Sequence, residues 1–253
     1  MMTLRHVLSV LLFGYPVPPE MIDPHFPSFL QRGGGMLLTL LITGLSMLIG
    51  AILGTALALC RREKTKAASA NAFDRMIGSA LYSTATVLVE AVRGLPIALL
   101  ILLTFHLPYR LFHLRLPDSV LAITALSFYS GAYLSEIVRA GFRSFDPSLH
   151  HVGRVLGLTP RQVLLKIELP IICRHMLPDL TNLAVTVFKD SSTLAIVAVP
   201  ELTYVARQMV MSEPINYGLV LLLVLGSYWV LATVLSVLTT RTLRLLVPMH
   251  ISF

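Results

Sequence analysis

Apolar positions run through this chain in long blocks rather than in short alternations. Met36 to Cys60 contains no charged residue, and a block of that length crosses a hydrocarbon core of roughly 30 Å as a helix. Gly218 to Thr240 is a second uncharged block, and Ser119 to Val138 is a further apolar block with Glu136 and Arg139 at its inner end. Met76 to Leu107 is apolar but interrupted by Glu90, Arg93, Gly94 and Pro96. Either a helix breaks near Gly94, or an interfacial helix feeds a span that starts there. A further span is expected within His175 to Val199, carrying Pro178 and the adjacent Lys189 and Asp190. The pattern predicts an all-α, polytopic membrane domain of about five transmembrane helices. Gly44, Ser46, Gly50, Ala51 and Gly54 give the first block a small-residue face for close packing, and Gly131 and Ala132 serve the third.

Asp146 to Pro170 breaks this pattern as a basic, polar island. Asp146 caps a short helix with Pro147 at its first position, where the missing N–H costs nothing. Gly157 suits the left-handed residue beyond that helix. Thr159 and Pro160 repeat the start, and Pro170 is expected to stop the second helix. Leu149, Val152, Val155 and Leu156 share a face of the first helix; Val163, Leu164, Ile167 and Leu169 share one of the second. The stretch reads as a corner lying across the end of the membrane domain.

Composition supports the membrane reading. The chain is 55% hydrophobic and 13% charged, with formal net charge +7. No basic patch with interleaved aromatics accompanies that charge, so nucleic acid is not implied; the excess marks cytoplasmic loops. Arg61 to Lys66 follows the first span, Arg143 to Arg174 surround the island, and Arg241 and Arg244 follow the last span. These clusters place the N-terminus outside and the C-terminus in the cytoplasm. Residues 1–13 resemble a signal peptide without a small-residue cleavage site and read as an uncleaved, interfacial segment. The domain reading is residues 1–35 as an extracytoplasmic or interfacial segment, 36–245 as the membrane domain with a cytoplasmic loop at 140–174, and 246–253 as a tail. Cys60 and Cys173 fit no metal spacing, and His150 and His151 are too isolated to ligate one. No internal inverted repeat is visible.

The charges inside the spans are the candidate chemistry, because unpaired charge at that depth is costly and faces protein or water. Lys189 and Asp190 diverge by about 100° on a helix, so each needs its own partner. Glu90 and Glu136 are candidates for Lys189, and Arg93 or Arg139 for Asp190. These residues, with Ser191 and Ser192, either line a path for a zwitterionic solute or form an internal ion-pair network. Ser191 and Ser192 either offer hydroxyls to a solute or bond back to their own helix. Glu90 and Arg93, three apart, are expected to pair.

At these residues the sequence resembles a known family. Gly157-Leu158-Thr159-Pro160, with Leu169-Pro170 downstream, looks like the cytoplasmic "EAA" loop of type-I ABC importer permeases. Glu90-Ala91-Val92-Arg93-Gly94-Leu95-Pro96, the block Ser130 to Gly141, and Lys189-Asp190-Ser191-Ser192-Thr193-Leu194 resemble blocks of its polar amino-acid subfamily. The family's Glu-Ala-Ala is replaced here by His151-Val152-Gly153. The resemblance implies the ABC type-1 permease fold and a non-catalytic permease subunit in a bacterial cytoplasmic (inner) membrane, importing polar amino acids or related compounds. It implies an ATPase dimer docked on the loop residues Asp146, Pro147, His151, Gly153, Gly157, Leu158, Pro160, Leu169 and Pro170. A second permease subunit, a heterodimer favoured by the altered motif, and an extracytoplasmic substrate-binding protein complete the assembly. The chain has no G-x-x-x-x-G-K-[ST] run, and no cofactor or metal of its own is implied. A stand-alone secondary carrier or channel is the alternative, and a membrane scaffold without transport a third.

Overall fold

The computed structural model describes residues 4–14, 34–61, 72–212 and 216–246. Most of the expected Pro- and Gly-rich loop at 14–35, the basic run after Arg61 and the C-terminal tail lie outside the described residues.

Ten α-helices cover the described chain, and their order follows the hydrophobic blocks. They are α1 (Leu4–Phe13), α2 (Gly35–Cys60), α3 (Ala72–Gly94), α4 (Ile97–Phe112) and α5 (Asp118–Arg143), then α6 (Pro147–Val155), α7 (Pro160–Val163), α8 (Leu169–Asp190), α9 (Leu202–Ser212) and α10 (Tyr217–Leu246). A π-helical turn, Leu164–Glu168, joins α7 to α8, and a 3₁₀ stretch, Ser191–Val197, follows α8.

The central element is α5. It packs against α2, α3, α4 and α8, and the core around it is formed by residues such as Ile42, Ile101, Ala122, Leu126, Val187 and Leu194. Lipid is as apolar as leucine, so helices in it associate through close packing and hydrogen bonds. The small face of α2 supplies both. A Cβ on Gly54 would sit 2.6 Å from the Gly131 carbonyl oxygen, so the backbones touch only because that residue is glycine. Ser46 Oγ donates to the Ile123 carbonyl at 3.2 Å, and Ser130 Oγ donates to the Ser46 carbonyl at 3.2 Å. Gly44, on the expected small face, has open space around it instead.

Three helices, α2, α5 and the first part of α10, are long and apolar enough to cross a membrane. The helix of Met76 to Leu107 is interrupted at Gly94-Leu95-Pro96, as both readings of this stretch require. α3 and α4 meet at 114° across Gly94-Leu95-Pro96, and together they make a fourth candidate span. α8 is 22 residues long, but Arg174, Asp179, Lys189 and Asp190 make it less apolar than the others. The span expected within His175 to Val199 therefore needs correcting. The helix begins earlier, at Leu169, and ends at Asp190, where 3₁₀ geometry takes over.

The two ends of the bundle differ. At one, Arg61 after α2 and Glu136 near the end of α5 meet, on the side from which α5 leads into the α6–α7 corner. At the other, Gly35 N–H donates to the Pro200 carbonyl at 2.8 Å, and α1 buries Val7, Val10 and Leu11 against Leu202, Val205 and Met209 of α9 and Val220 of α10. α1 is thus packed on the bundle.

Candidate functional site

The candidate residues separate into three places: the corner, an ion cluster, and a groove between α8 and α10.

The corner forms largely as its residues dictate. Asp146 Oδ1 accepts from Ser148 N–H at 2.8 Å, and the Ser148 donors hold this exposed carboxyl below its ordinary range. Thr159 and Gln162 make a reciprocal capping box, with Thr159 N–H donating to Gln162 Oε1 at 2.9 Å. Gly157 takes φ +78°, a conformation that favours glycine, and Leu158 N–H bonds the Gly153 carbonyl at 3.1 Å to close the first helix. Gly153 is the hinge of the packing. A Cβ there would lie 2.8 Å from Val163 Cγ2 and 3.2 Å from Ile167 Cδ1, so the two helices approach through its missing side chain. Val152, Val155 and Leu156 point outward instead, and Val155 is 86% exposed. His151 and Pro160 are also exposed, and Leu158 is partly buried.

Pro170 does not stop the second helix. Its ring removes one N–H donor, and the five-residue π turn before it takes up the change in pitch, with Leu169 N–H bonded to the Leu164 carbonyl. Pro160 to Asp190 is therefore one continuous helical path of about 45 Å.

The ion cluster joins α2, α3 and α5. Arg61 is 3% exposed. Its guanidinium pairs with Glu136, lies 3.5 Å from Glu90, and donates to Thr86 Oγ1 at 3.3 Å. Arg93 is 3.7 Å from Glu90, as its spacing predicts, and 3.8 Å from Glu136. The Arg93 guanidinium also lies 5.6 Å from the centre of the Tyr133 ring. Two cations and two carboxylates neutralise one another here, so Glu90, Arg93 and Glu136 belong to one ion-pair network with Arg61. The partners expected for Lys189 are thus engaged elsewhere. Arg61, the residue that organises the cluster, reads in the sequence only as part of a basic topology marker. A hint was present: Arg93 alone balances one of the two glutamates.

Asp190 is bonded neither to Arg93 nor to Arg139. It accepts from Tyr129 Oη at 2.8 Å, and the Tyr129 and Tyr133 rings are 4.9 Å apart. A tyrosine pair thereby links the ion cluster to the end of α8. Ser191 is fully buried and donates back to the Phe188 carbonyl at 2.7 Å, the local reading of its hydroxyl.

Lys189 faces the other way. It is exposed and has no ion pair among the described residues. With Asn182, Thr186 and Ser192 it forms one wall of a groove of about 940 Å³ whose other wall is α10, including Tyr228, Trp229, Thr233 and Ser236. Asn182, Thr186 and Lys189 fall four and three residues apart and so share one helix face. A polar stripe of this kind on a helix inside a membrane faces water or protein.

Glu201, which the sequence reading passes over, lies behind the groove wall and is bonded to its lining residue Tyr228. It is fully buried just before α9, accepting from Tyr204 N–H at 2.7 Å and Tyr228 Oη at 2.9 Å. Burial pushes its carboxyl up to about 7, against the lowering effect of donors from Thr203, Tyr204 and Tyr228. Thr39 Oγ1 accepts from Leu202 N–H at 3.0 Å, so Glu201 and Thr39 together satisfy the open N-terminus of α9.

Comparison with known proteins agrees with this arrangement. Residues 67–246 match the model of the family described as binding-protein-dependent transport system inner membrane component. The L-cystine transport system permease protein TcyB of Bacillus subtilis is 28% identical over 232 residues, covering 90% of this chain and 91% of the relative. The probable glutamine ABC transporter permease protein GlnP of Bacillus subtilis is 38% identical over 122 residues, covering 48% of this chain and 55% of the relative. Among solved structures, an amino acid ABC transporter crystallised with histidines superposes with TM-score 0.70 at 25% identity, over 83% of this chain and 91% of that one. The inward-facing methionine ABC transporter MetNI superposes with TM-score 0.63 at 18% identity, over 81% of this chain and 91% of that one, a likeness of fold. With a family match across most of its length and a helical bundle that superposes on importer permeases, this chain belongs to the binding-protein-dependent transport system inner membrane components.

Proposed function

We propose that this chain is the permease subunit of an ATP-driven importer of polar amino acids or related zwitterions, contributing half of the path through the α8–α10 groove. One observation carries the reading: a single helical path runs from the exposed corner to the groove wall at Lys189. A push on the corner moves Lys189, because a capped, continuous helix transmits displacement that a loose loop would absorb. The outward Val152, Val155 and Leu156 offer the apolar contact through which an ATPase would push. In this reading the corner end is cytoplasmic and the N-terminus outside, as the basic clusters suggest. ATP is hydrolysed on the partner ATPase dimer, and this chain needs no cofactor.

The groove is open on one side, so a second permease subunit completes the path. His151-Val152-Gly153 in place of Glu-Ala-Ala leaves no carboxylate at the motif's own position on the docking corner, which favours a heterodimer whose other subunit carries the acid. An extracytoplasmic binding protein delivers substrate to the α9 end. Lys189 offers a positive charge to a substrate carboxylate, and the tyrosines and hydroxyls around it are tolerant of side-chain chemistry.

The test is uptake into liposomes by the purified permease–ATPase assembly with its binding protein. Uptake is expected to require ATP. Gly157→Val, which forces a β-branched residue to φ +78°, is expected to cut uptake at least about tenfold while ATP hydrolysis persists, a loss of about 1.4 kcal/mol of coupling or more. ATP-independent uptake by this chain alone would replace the proposal with a secondary carrier.

A further inference from the structure

A cavity of about 220 Å³ opens between the last turns of α2 and α5, walled by Leu59, Val138 and Phe142 and by Arg61, Arg139 and Arg143. No carboxylate lines it among the described residues. The Arg61 guanidinium is turned to Glu90 and Glu136, so the cations left for the cavity are Arg139 and Arg143. They stand four residues apart, on one face of α5. Neither forms an ion pair among the described residues, although Arg139 lies within electrostatic range of Glu136. Two unpaired guanidinium groups over an apolar floor call for an anion that also carries apolar mass.

The neighbouring surface of α2 supplies the second half of the site. Leu48, Ile52 and Leu59 are 62%, 67% and 57% exposed and recur four and seven residues apart, so they form one stripe. The stripe leads from the cavity toward the middle of α2 over about 16 Å. That is about half the thickness of a hydrocarbon core of roughly 30 Å, the reach of one leaflet's acyl chains. A choline or ethanolamine headgroup would add an ammonium beside the two arginines, and among the described residues no carboxylate lines the cavity to receive it.

We propose that this cavity binds the phosphodiester headgroup of an anionic phospholipid through Arg139 and Arg143, with the acyl chains lying along Leu59, Ile52 and Leu48. Guanidinium binds phosphate in a bidentate fork, and basic pockets between spans near a membrane surface suit anionic headgroups. The site rests on the chain's place in the membrane and not on the coupling reading, so failure of ATP-driven uptake would leave it standing.

Native mass spectrometry of the full chain, purified with its partner subunits and offered phosphatidylglycerol or phosphatidylcholine, tests the site by counting retained lipid. Phosphatidylglycerol is expected to be retained preferentially. Arg143→Gln should lower its retention about fivefold and Arg139→Gln/Arg143→Gln at least about tenfold, with no change in Arg110→Gln, an exposed arginine on α4 remote from the cavity. Should the double variant fail to assemble, Leu59→Glu, which puts a carboxylate at the exposed mouth of the cavity, must lower retention comparably. Equal retention of the two lipids, unchanged retention in the cavity variants, or displacement of the lipid by millimolar inorganic phosphate would each overturn the proposal, the last by identifying a free-anion site.

Discussion

Glu201 holds its place through four elements of chemistry at once: full burial, the Tyr204 N–H, the Tyr228 hydroxyl and the start of α9. Its carboxyl binds a proton up to about 7 in the folded chain, against an ordinary value of 4.5. Between those values the folded state binds more protons than the unfolded state, so stability falls as pH rises through the window and levels off above it. Glu201→Gln removes this titration. Its unfolding midpoint in detergent should be flat between about pH 4.5 and 7 where the wild type declines; parallel slopes for the two proteins would refute the assignment. Glu201→Ala leaves the Tyr204 N–H without its acceptor and Tyr228 with only Thr203 as a partner, and should cost on the order of 1–3 kcal/mol.

At the scale of elements, glycine decides how closely helices meet. Gly54 brings α2 to the Gly131 carbonyl, and Gly153 brings the first corner helix onto Val163 and Ile167. Replacing Gly54 with Leu forces α2 and α5 apart along the main contact of the bundle. Overpacking of this kind costs about 1–3 kcal/mol, so Gly54→Leu should lower the thermal midpoint by several degrees, while Gly44→Leu, in open space, should not. Equal midpoints for the two variants would mean that the α2–α5 contact is not close in the membrane. The π turn before Pro170 is the other device at this scale. It lets a proline sit inside a path that stays helical from the corner to Asp190.

For the whole molecule, Arg61 is the tie. From the end of α2 it reaches Glu90 and Thr86 on α3 and Glu136 on α5, close to the α3–α4 break. Removing one partner of such a buried cluster leaves carboxylates uncompensated, at a cost of about 3 kcal/mol. That figure applies chiefly to the three-quarters-buried Glu136, since Glu90 is 58% exposed and its share is screened. Arg61→Ala should therefore lower the midpoint of the detergent-solubilised protein sharply. Arg61→Lys should recover only part of it, because one ammonium cannot span two glutamates and the hydroxyl of Thr86. A wild-type midpoint for Arg61→Ala would show that the cluster is ornamental to the fold. The cluster and the groove divide the intramembrane charges between them: Glu90, Arg93 and Glu136 hold helices together, and Lys189 is left facing the open groove.

By itself the sequence determined what depends on neighbours along the chain. Apolar blocks gave α2 nearly to the residue and the starts of α5 and α10, while both of those helices run on five or six residues past the expected end into charged positions, because burying backbone polar groups in lipid forces a helix wherever side chains are apolar. Caps at Asp146 and Thr159 and the left-handed Gly157 were legible because they are local hydrogen bonds and local sterics. The Glu90–Arg93 pair was legible from spacing alone. Tertiary structure decided what depends on residues far apart in sequence. Asp190 finds Tyr129 rather than an arginine, Arg61 leaves the basic run to become the most buried cation of the cluster, and Glu201 becomes a buried acid. The course through Pro170 was also decided there, since a proline's missing donor stops a helix unless the turn before it widens, and that turn packs against Gly153 through Ile167. Charge at membrane depth announces that a partner exists; only the approach of helices names it.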